Sequence, residues 1–254
     1  MVQYWQRAGN AGQVTEQCQL AAEKETEWKV GKMDMQNPTK SAMIVIDMER
    51  GFVDAQSAHC ICTAKATVPA CSKAMELARA KGIPVFLVNR IYRSNGSDVE
   101  ATRYQSWVQG GRAMAPGSVG PCSYEMPAGM EPKPGDYTLV KPRWSAFFQT
   151  ELDLLLRRLQ IETVILLGTT TPNCVRTTCY DAVALDYNVL ILPECCSSQT
   201  EEIQRANLAD MERIGAQMLT LEQFAAYDVD SVPCLVQQVR QAVADDSAAP
   251  EPNL

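Results

Sequence analysis

The segment ETVILLGTTTPNCVRTTCYDAVALD, residues 162–186, decides the fold class of this chain. Residues 163–167 form a continuous apolar run, which is typical of a strand covered on both faces. A turn of small residues follows at residues 168–172, and the pattern predicts a helix from about residue 173 to residue 186. Cys174 lies at this bend, where the free N–H groups and the dipole of a helix start favour a thiolate over a thiol. The segment therefore predicts either a nucleophilic cysteine or a small buried thiol at a packed corner.

Strands and helices alternate along the rest of the chain. The apolar patterns predict five further strands, at residues 42–46, 84–89, 136–140, 188–192 and 217–220. The helices are predicted at residues 67–80, at 151–159 after Thr150, between Thr200 and Gly215, and at 231–244. This alternation predicts one doubly wound α/β domain, with helices on both faces of a mainly parallel six-stranded sheet. We assign residues 41–245 to that domain, residues 1–40 to an N-terminal extension and residues 246–254 to a flexible tail.

Composition and charge exclude several classes of protein. The chain has 254 residues and a net charge of −7, and its basic residues are scattered, which argues against nucleic acids and anionic membrane surfaces as partners. No apolar run approaches the length that crosses a bilayer. Because the sequence shows no secretory leader, we expect a cytoplasmic protein whose ten cysteines are mostly free.

The scarcity of histidine limits the catalytic mechanisms and metal sites that this chain can have. His59 is the only histidine and lies in no recognisable catalytic setting, so the sequence argues against both Ser-His-Asp and Cys-His catalysis. Its neighbours Cys60, Cys62 and Cys71 do not have a usual zinc-ligand spacing, and no Gly-rich phosphate loop is present. We therefore expect no metal and no cofactor, and a general base that is a carboxylate, a lysine or water.

Three reactive residues follow predicted strands or their turns. These are Asp47, Lys141 and Cys174, and in a parallel sheet the carboxyl ends of the strands meet at one edge, where ligands bind. A cysteine, a carboxylate and a lysine together suit covalent amide hydrolysis, although Asp47 taken alone is better explained as a helix or turn cap. Arg90 and Arg93 begin a polar loop at another strand end, where they either hold an anionic substrate group or are surface and ion-pair residues.

Three segments carry a resemblance to a known family. They are IVIDMERGFVD at residues 44–54, LVKPRWSAFFQTELDLLLRRL at 139–159 and LLGTTTPNCVRTTCYDAVALDYNV at 166–189. Together they resemble the isochorismatase-like cysteine hydrolase superfamily, which includes nicotinamidases, N-carbamoylsarcosine amidase, biuret hydrolase and ureidoacrylate amidohydrolase. The likeness covers roughly residues 41–226.

The resemblance implies roles for the three reactive residues. Asp47, Lys141 and Cys174 correspond to the Asp-Lys-Cys triad of that superfamily. A non-proline cis peptide is expected between Thr169 and Thr170. The backbone N–H groups of Thr170 and Cys174 would then face one point as an oxyanion hole.

The resemblance also suggests residues of the substrate pocket. Phe52 matches an aromatic residue that lines the pocket in the family. Trp144 and Phe148 either do likewise or are ordinary core residues. Arg93 and Asn173 complete the predicted substrate-binding set.

The function implied is a metal-independent, cysteine-dependent amidohydrolase. It would cleave a C–N bond of a small amide, ureido or carbamoyl compound through a thioester. Nicotinamidases of the family use an Asp/His metal cluster, which a chain with His59 as its single histidine cannot form. The alternatives are a catalytically silent binding module, an isochorismatase-type hydrolase and a redox or metal-thiolate protein. We also expect a homo-oligomer, a dimer or tetramer, in which residues 105–130 or the N-terminal extension contribute to an interface or lid.

Overall fold

A computed structural model describes residues 40–228 and 230–246, and a six-stranded sheet forms its centre. The order of the strands is β3-β2-β1-β4-β5-β6, and every pair is parallel, so the predicted doubly wound fold is confirmed. Apart from Lys40 and Asp246, the predicted extension and tail lie outside the described residues. The strands are β1 Ser41–Ile46, β2 Val85–Asn89, β3 Tyr137–Val140, β4 Thr163–Thr169, β5 Asn188–Ser197 and β6 Gln217–Met218.

Helices connect the strands and cover both faces of the sheet. Within the described part of the chain, none is both long enough and apolar enough to cross a membrane. The helices are α1 Arg50–Val53, α2 Ala64–Ala80, α3 Tyr104–Gln109, α4 Leu152–Arg158, α5 Arg176–Ala184, α6 Glu201–Arg213, α7 Leu221–Ala225 and α8 Leu235–Asp245. A 3₁₀ turn, Gly120–Cys122, and a π-helical turn, Thr171–Val175, complete the set.

The alternation of side chains along β1 explains why its sequence is apolar throughout. Met43 and Val45 face one hydrophobic core with residues of α2, while Ala42, Ile44 and Ile46 face the other with residues of α4 and α5. Because both faces are covered, no polar alternation is possible in this strand. Leucines of α4, predicted to be core, pack in this second cluster.

The observed elements differ from the predicted ones at their ends. β5 continues to Ser197 rather than stopping at residue 192, and α8 begins at Leu235 rather than at residue 231. The extra length of β5 includes a bulge, since Leu166 pairs with Ile191 but Gly168 pairs with Cys196. Pro193 reads as a strand end in sequence, yet such a bulge tolerates proline inside a strand.

Gly168 is the position in β4 where the backbone requires glycine. Its φ is +120°, and a Cβ there would lie 2.8 Å from the backbone nitrogen of Ile46 and closer still to the Ile46 carbonyl oxygen. No other residue type allows so close an approach of β4 to β1. The approach occurs one residue before Asp47 and leads into the turn that carries Cys174.

Candidate active site

A buried ion pair lies at the carboxyl edge of the sheet. Lys141 Nζ donates a hydrogen bond of 2.6 Å to Asp47 Oδ2, and the side chains are 0% and 1% exposed. Asp47 has a φ of +49°, in the left-handed region that Asp adopts more readily than most residues. Its carboxylate therefore pairs with a lysine, and the cap interpretation of Asp47 is wrong.

Strand β2 brings the two partners together, because it lies between β1 and β3. The peptide N–H of Asp47 donates to Val88 O at 3.0 Å, and that of Lys141 donates to Asn89 O at 2.9 Å. Lys141 Nζ makes a second hydrogen bond, of 3.1 Å, to the carbonyl oxygen of Arg143. Adjacent residues of one strand thus fix the positions of a carboxylate and a lysine that are far apart in sequence.

Cys174 lies within the π-helical turn that precedes α5, and it is 5% exposed. Its carbonyl oxygen accepts a hydrogen bond of 2.7 Å from the Thr178 hydroxyl, which in turn accepts 2.9 Å from the Ala146 peptide N–H. The Thr171 hydroxyl ties the start of the turn to Ser197 O at 3.0 Å. The cysteine is therefore held from both sides, by α5 and by the extended end of β5.

The peptide bond between Thr169 and Thr170 is cis. It joins the end of β4 to the π-helical turn, directly before the residues that hold Cys174. The Thr170 hydroxyl donates to Ser197 O at 3.2 Å, so both threonines that follow the cis bond are anchored on the same carbonyl oxygen.

Burial and the nearby carboxylate raise the pKa of the Cys174 thiol to about 11. The charge of Asp47 and a hydrogen-bonding interaction with it act in the same direction as burial, whereas Lys141 and Arg90 lower the pKa. The expectation of a resting thiolate is therefore wrong, because desolvation outweighs the helix start and the cations. The thiol keeps its proton at neutral pH, and Asp47 is the adjacent group that can accept it.

Glu49 is a member of the site that the sequence reasoning missed. It is fully buried, and burial followed by the charge of Asp47 raises its pKa well above the usual value. Its Oε1 accepts a short hydrogen bond from the Arg90 peptide N–H. Burial therefore favours the protonated form of this carboxyl beside the ion pair. Its position two residues after Asp47 is the feature of the sequence that could have indicated it.

Arg90 belongs to a second buried charge cluster at the same edge. The guanidinium is 1% exposed, and its Nη1 forms a short ion pair with Glu100. Tyr92 OH donates to Glu100 Oε2 at 3.0 Å. Burial raises the pKa of Glu100, but the charge and hydrogen bond of Arg90 together with hydrogen bonds from the Glu100 peptide and from Tyr92 lower it overall. By contrast, Arg93 is exposed, and its peptide N–H donates to the Asp98 carboxylate.

The predicted pocket residues occupy different environments. Phe52 is 5% exposed and packs in the core on the α2 face of the sheet. Trp144 and Phe148 are 38% and 47% exposed, so their interpretation as ordinary core residues is wrong. Asn173 is exposed beside Cys174, and its carbonyl oxygen accepts a hydrogen bond from the Thr177 hydroxyl. Their contact with substrate stays a prediction.

The cysteine-rich region near His59 does not form a metal centre within the described residues. No group of three His, Cys, Asp or Glu side chains there has the arrangement of metal ligands. The nine cysteines of the described chain are free, and the thiol of Cys71 donates to the carbonyl oxygen of Cys195. The redox and metal-thiolate alternative therefore has no support in this part of the chain.

The fold and the site together define a doubly wound α/β protein with an acid, a lysine and a cysteine gathered at the carboxyl edge of its sheet. The chain belongs to the isochorismatase family, because the sequence model of the isochorismatase domain matches residues 41–223. The recognition made from the three sequence segments is thus confirmed.

Three individual relatives are each similar to this chain over most of their own length. A probable inactive nicotinamidase of Arabidopsis thaliana is 36% identical, covering 73% of this chain and 94% of that protein. A ureidoacrylate amidohydrolase of Rhizobium rhizogenes is 29% identical, covering 77% and 86%. The crystal structure of an isochorismatase family protein from Desulfovibrio vulgaris has a TM-score of 0.68 and 34% identity, covering 84% of this chain and all of that one.

Proposed function

We propose that this protein is a cysteine-dependent amidohydrolase that cleaves a C–N bond of a small amide, ureido or carbamoyl compound. The observation that carries the proposal is the buried Asp47–Lys141 pair beside the buried thiol of Cys174. A carboxylate held by a lysine next to a protonated thiol is a base positioned to activate a nucleophile. The similarity to a ureidoacrylate amidohydrolase supports the same class of substrate.

The first half of the proposed reaction forms a thioester. Asp47 accepts the thiol proton while Cys174 Sγ attacks the carbonyl carbon of the substrate. The N–H groups of Thr170 and Cys174 stabilise the oxyanion of the tetrahedral intermediate. The C–N bond then breaks, the leaving nitrogen takes the proton from Asp47, and ammonia or an amine departs.

The second half regenerates the enzyme. Asp47 takes a proton from a water molecule, whose oxygen attacks the thioester carbonyl. The C–S bond breaks, the acid product leaves, and the thiol recovers its proton from Asp47. Lys141 keeps the Asp47 carboxylate in place through its hydrogen bond, so it acts as a positioning residue.

The test is a screen of small amides, ureides and carbamoyl compounds for ammonia or amine release. We expect Cys174→Ala to lower turnover by at least about 1,000-fold, because the nucleophile is lost. Cys179→Ala is the matched control, since Cys179 is also buried and lies five residues further along in α5. Trapped acyl-enzyme on Cys174, detected by mass spectrometry, completes the test. A Cys174→Ala variant with parental turnover would refute the proposal.

The same screen addresses metal dependence. The chain contains one histidine, so we expect turnover to survive EDTA and dialysis. Activity that is lost to the chelator and restored by zinc, manganese or iron would contradict the metal-independent part of the proposal.

A catalytically silent binding module is the second candidate. It is favoured by one observation, the similarity to a relative named as a probable inactive nicotinamidase. It predicts ligand binding without ammonia release in both the parent and the Cys174→Ala protein. An isochorismatase-type hydrolase, suggested by the family's name, would instead release a carbonyl compound and an alcohol from a vinyl ether.

A further inference from the structure

Arg90 has a place at the edge of the sheet that its ion pair does not fully explain. It follows β2 directly, between the strand that ends before Asp47 and the strand that ends before Lys141. Its side chain is 1% exposed, and its peptide N–H is held by Glu49. This arginine is therefore a fixed, buried cation among the proposed catalytic groups rather than a surface charge.

Among the residues that the structure describes, only one end of the Arg90 guanidinium has partners. Nη1 forms the ion pair with Glu100 and lies 3.4 Å from Tyr92 OH. Nε and Nη2 are also buried, yet neither donates a hydrogen bond to any residue of the described chain. Leaving donors of a charged group unpaired in the interior is costly, so such exceptions require an explanation.

The two unpartnered nitrogens form one donor edge. In a guanidinium, Nε–H and one Nη2–H are nearly parallel and lie side by side. Their spacing matches the two oxygens of a carboxylate, which such an edge binds in a bidentate manner. Lysine or a neutral amide donor would not present this geometry.

The charged group lies close enough to the nucleophile to influence it. Arg90 lowers the pKa of Cys174, acting against burial and Asp47. Burial lowers the pKa of Arg90, but Asp47, Tyr92, Cys174 and Glu100 outweigh it, so the guanidinium stays charged. Glu49, the other carboxyl at this position, accepts the Arg90 peptide N–H rather than a guanidinium N–H, and burial raises its pKa.

We infer that the Nε–Nη2 edge of Arg90 binds a carboxylate carried by the substrate, so that this enzyme selects small amides or ureides bearing an acidic group over neutral analogues. The inference rests on the amidohydrolase function proposed above and narrows its substrate class. It also assigns the anion-binding role to Arg90 and not to the exposed Arg93.

The first experiment uses the parent enzyme and matched pairs of probes. Succinamate is compared with butanamide, and N-carbamoylglycine with propylurea, so that the members of each pair differ mainly in the carboxylate. A bidentate, charge-assisted contact predicts a kcat/KM about 100-fold higher for the carboxylated member. Equal or faster turnover of the neutral members would overturn the inference without any substitution.

The second experiment measures binding independently of turnover. Calorimetry on Cys174→Ala is expected to show that the carboxylated probes bind about 100-fold more tightly than their neutral partners. Adding Arg90→Gln to this variant is expected to remove that preference. If the preference is present but the parent enzyme releases no ammonia or amine, the proposed function fails while the anion site stands. If carboxylated and neutral probes bind alike, the anion site fails regardless of turnover.

Further variants separate binding from a structural role. Arg90→Lys keeps the charge but loses the two-pronged edge, so we expect most of the preference to disappear while neutral substrates are affected less. Arg213→Gln, at an arginine on α6 whose side chain is 77% exposed, is the control. A loss of neutral and carboxylated turnover in equal proportion in both Arg90 variants would overturn the inference. So would a preference lost in Arg93→Gln and kept in Arg90→Gln.

Discussion

At the scale of single residues, the site is a set of buried groups whose charges compensate one another. Lys141 and Arg90 face Asp47 and Glu100 in paired contacts, and burial raises the pKa of Glu49. A buried pair of this kind costs desolvation on both sides, so its arrangement is better understood as positioning than as a source of stability. In the function proposed above, the pair positions a proton acceptor beside Cys174.

The first prediction concerns the two charges that act on Cys174 in opposite directions. Asp47→Asn removes a group that raises the thiol pKa, and Lys141→Met removes one that lowers it. We expect the pKa of Cys174, about 11 in the parent, to fall by about one unit in the first variant and to rise by about one unit in the second. The pH dependence of iodoacetamide labelling at Cys174, mapped by mass spectrometry, measures both.

The two variants should therefore label at different pH although both lose turnover. Each leaves one buried charge unpaired, at a cost of about 3–5 kcal/mol, so folding is checked by circular dichroism. The double variant, which removes the pair, is the control. Labelling profiles that coincide in all four proteins would show that neither residue acts on the thiol.

The second prediction concerns Glu49. Because its folded pKa is raised above 4.5, it contributes stability that is fully present below that pH and is lost as the pH rises through the higher folded pKa. Glu49→Gln cannot ionise, and its amide oxygen can still accept from the Arg90 N–H. The free energy of unfolding of the variant, measured with urea, should therefore increase relative to that of the parent as the pH rises from 5 to 8.

The matched control is Glu125→Gln, at a carboxylate whose side chain is 70% exposed. Its difference from the parent should stay within about 0.5 kcal/mol at both pH values. If the difference between Glu49→Gln and the parent does not change with pH, the pKa of Glu49 is not raised in the folded protein.

At the scale of elements, the end of β4 decides where the cysteine lies. Gly168 brings β4 against β1, and the residues after it are tied to Ser197 through two threonine hydroxyls. The bulged, extended β5 supplies that anchor. The neighbouring strands β1, β4 and β5 therefore together hold Asp47 and Cys174 at one edge of the sheet.

The third prediction tests the close approach at Gly168. Gly168→Ala combines an unfavourable positive φ with a clash against the Ile46 backbone, which we expect to cost about 2–5 kcal/mol of unfolding free energy and most of the turnover. Gly215→Ala is the control, because Gly215 also has a positive φ but no atom lies within 4 Å of an added Cβ. Equal losses of stability in the two variants, measured by urea unfolding, would remove the argument from contact with β1.

At the scale of the whole molecule, the sequence predicted the succession of strands and helices well and the residues of the site less completely. Continuous apolar runs predicted the central strands β1, β2 and β4, because these strands are buried on both faces. The second half of β5 was missed because Pro193 reads as a strand end, and only the bulge makes it compatible with pairing. Glu49 and Glu100 were missed because an isolated charged residue in sequence is usually a surface residue.

Arg90 shows why the remaining part of the site could not be predicted. Its alternatives, an anion site or a surface or ion-pair residue, differ only in which atoms of the guanidinium have partners. That depends on where Glu100 and Tyr92 lie after the polar loop folds back, and the spacing of residues along the loop does not fix it. Tertiary contacts therefore decide which guanidinium nitrogens of Arg90 have partners, and residue type and sequence position do not.

The last prediction concerns assembly. Val119 is 79% exposed within the long segment between α3 and β3, which is also the segment expected to contribute to an interface or lid. A contact made through this segment would bury the Val119 side chain, and we expect the parent to sediment as a dimer or tetramer at micromolar concentration. Val119→Glu should shift that equilibrium towards the 28.0 kDa monomer, because a charge would be buried in the contact. Leu154→Glu is the control, since Leu154 on α4 is 65% exposed and lies outside this segment.

A chain lacking residues 1–39 tests the N-terminal extension separately. A parent protein that sediments only as a monomer would refute the predicted assembly, and an oligomer unaffected by Val119→Glu but lost on truncation would transfer the contact to the extension.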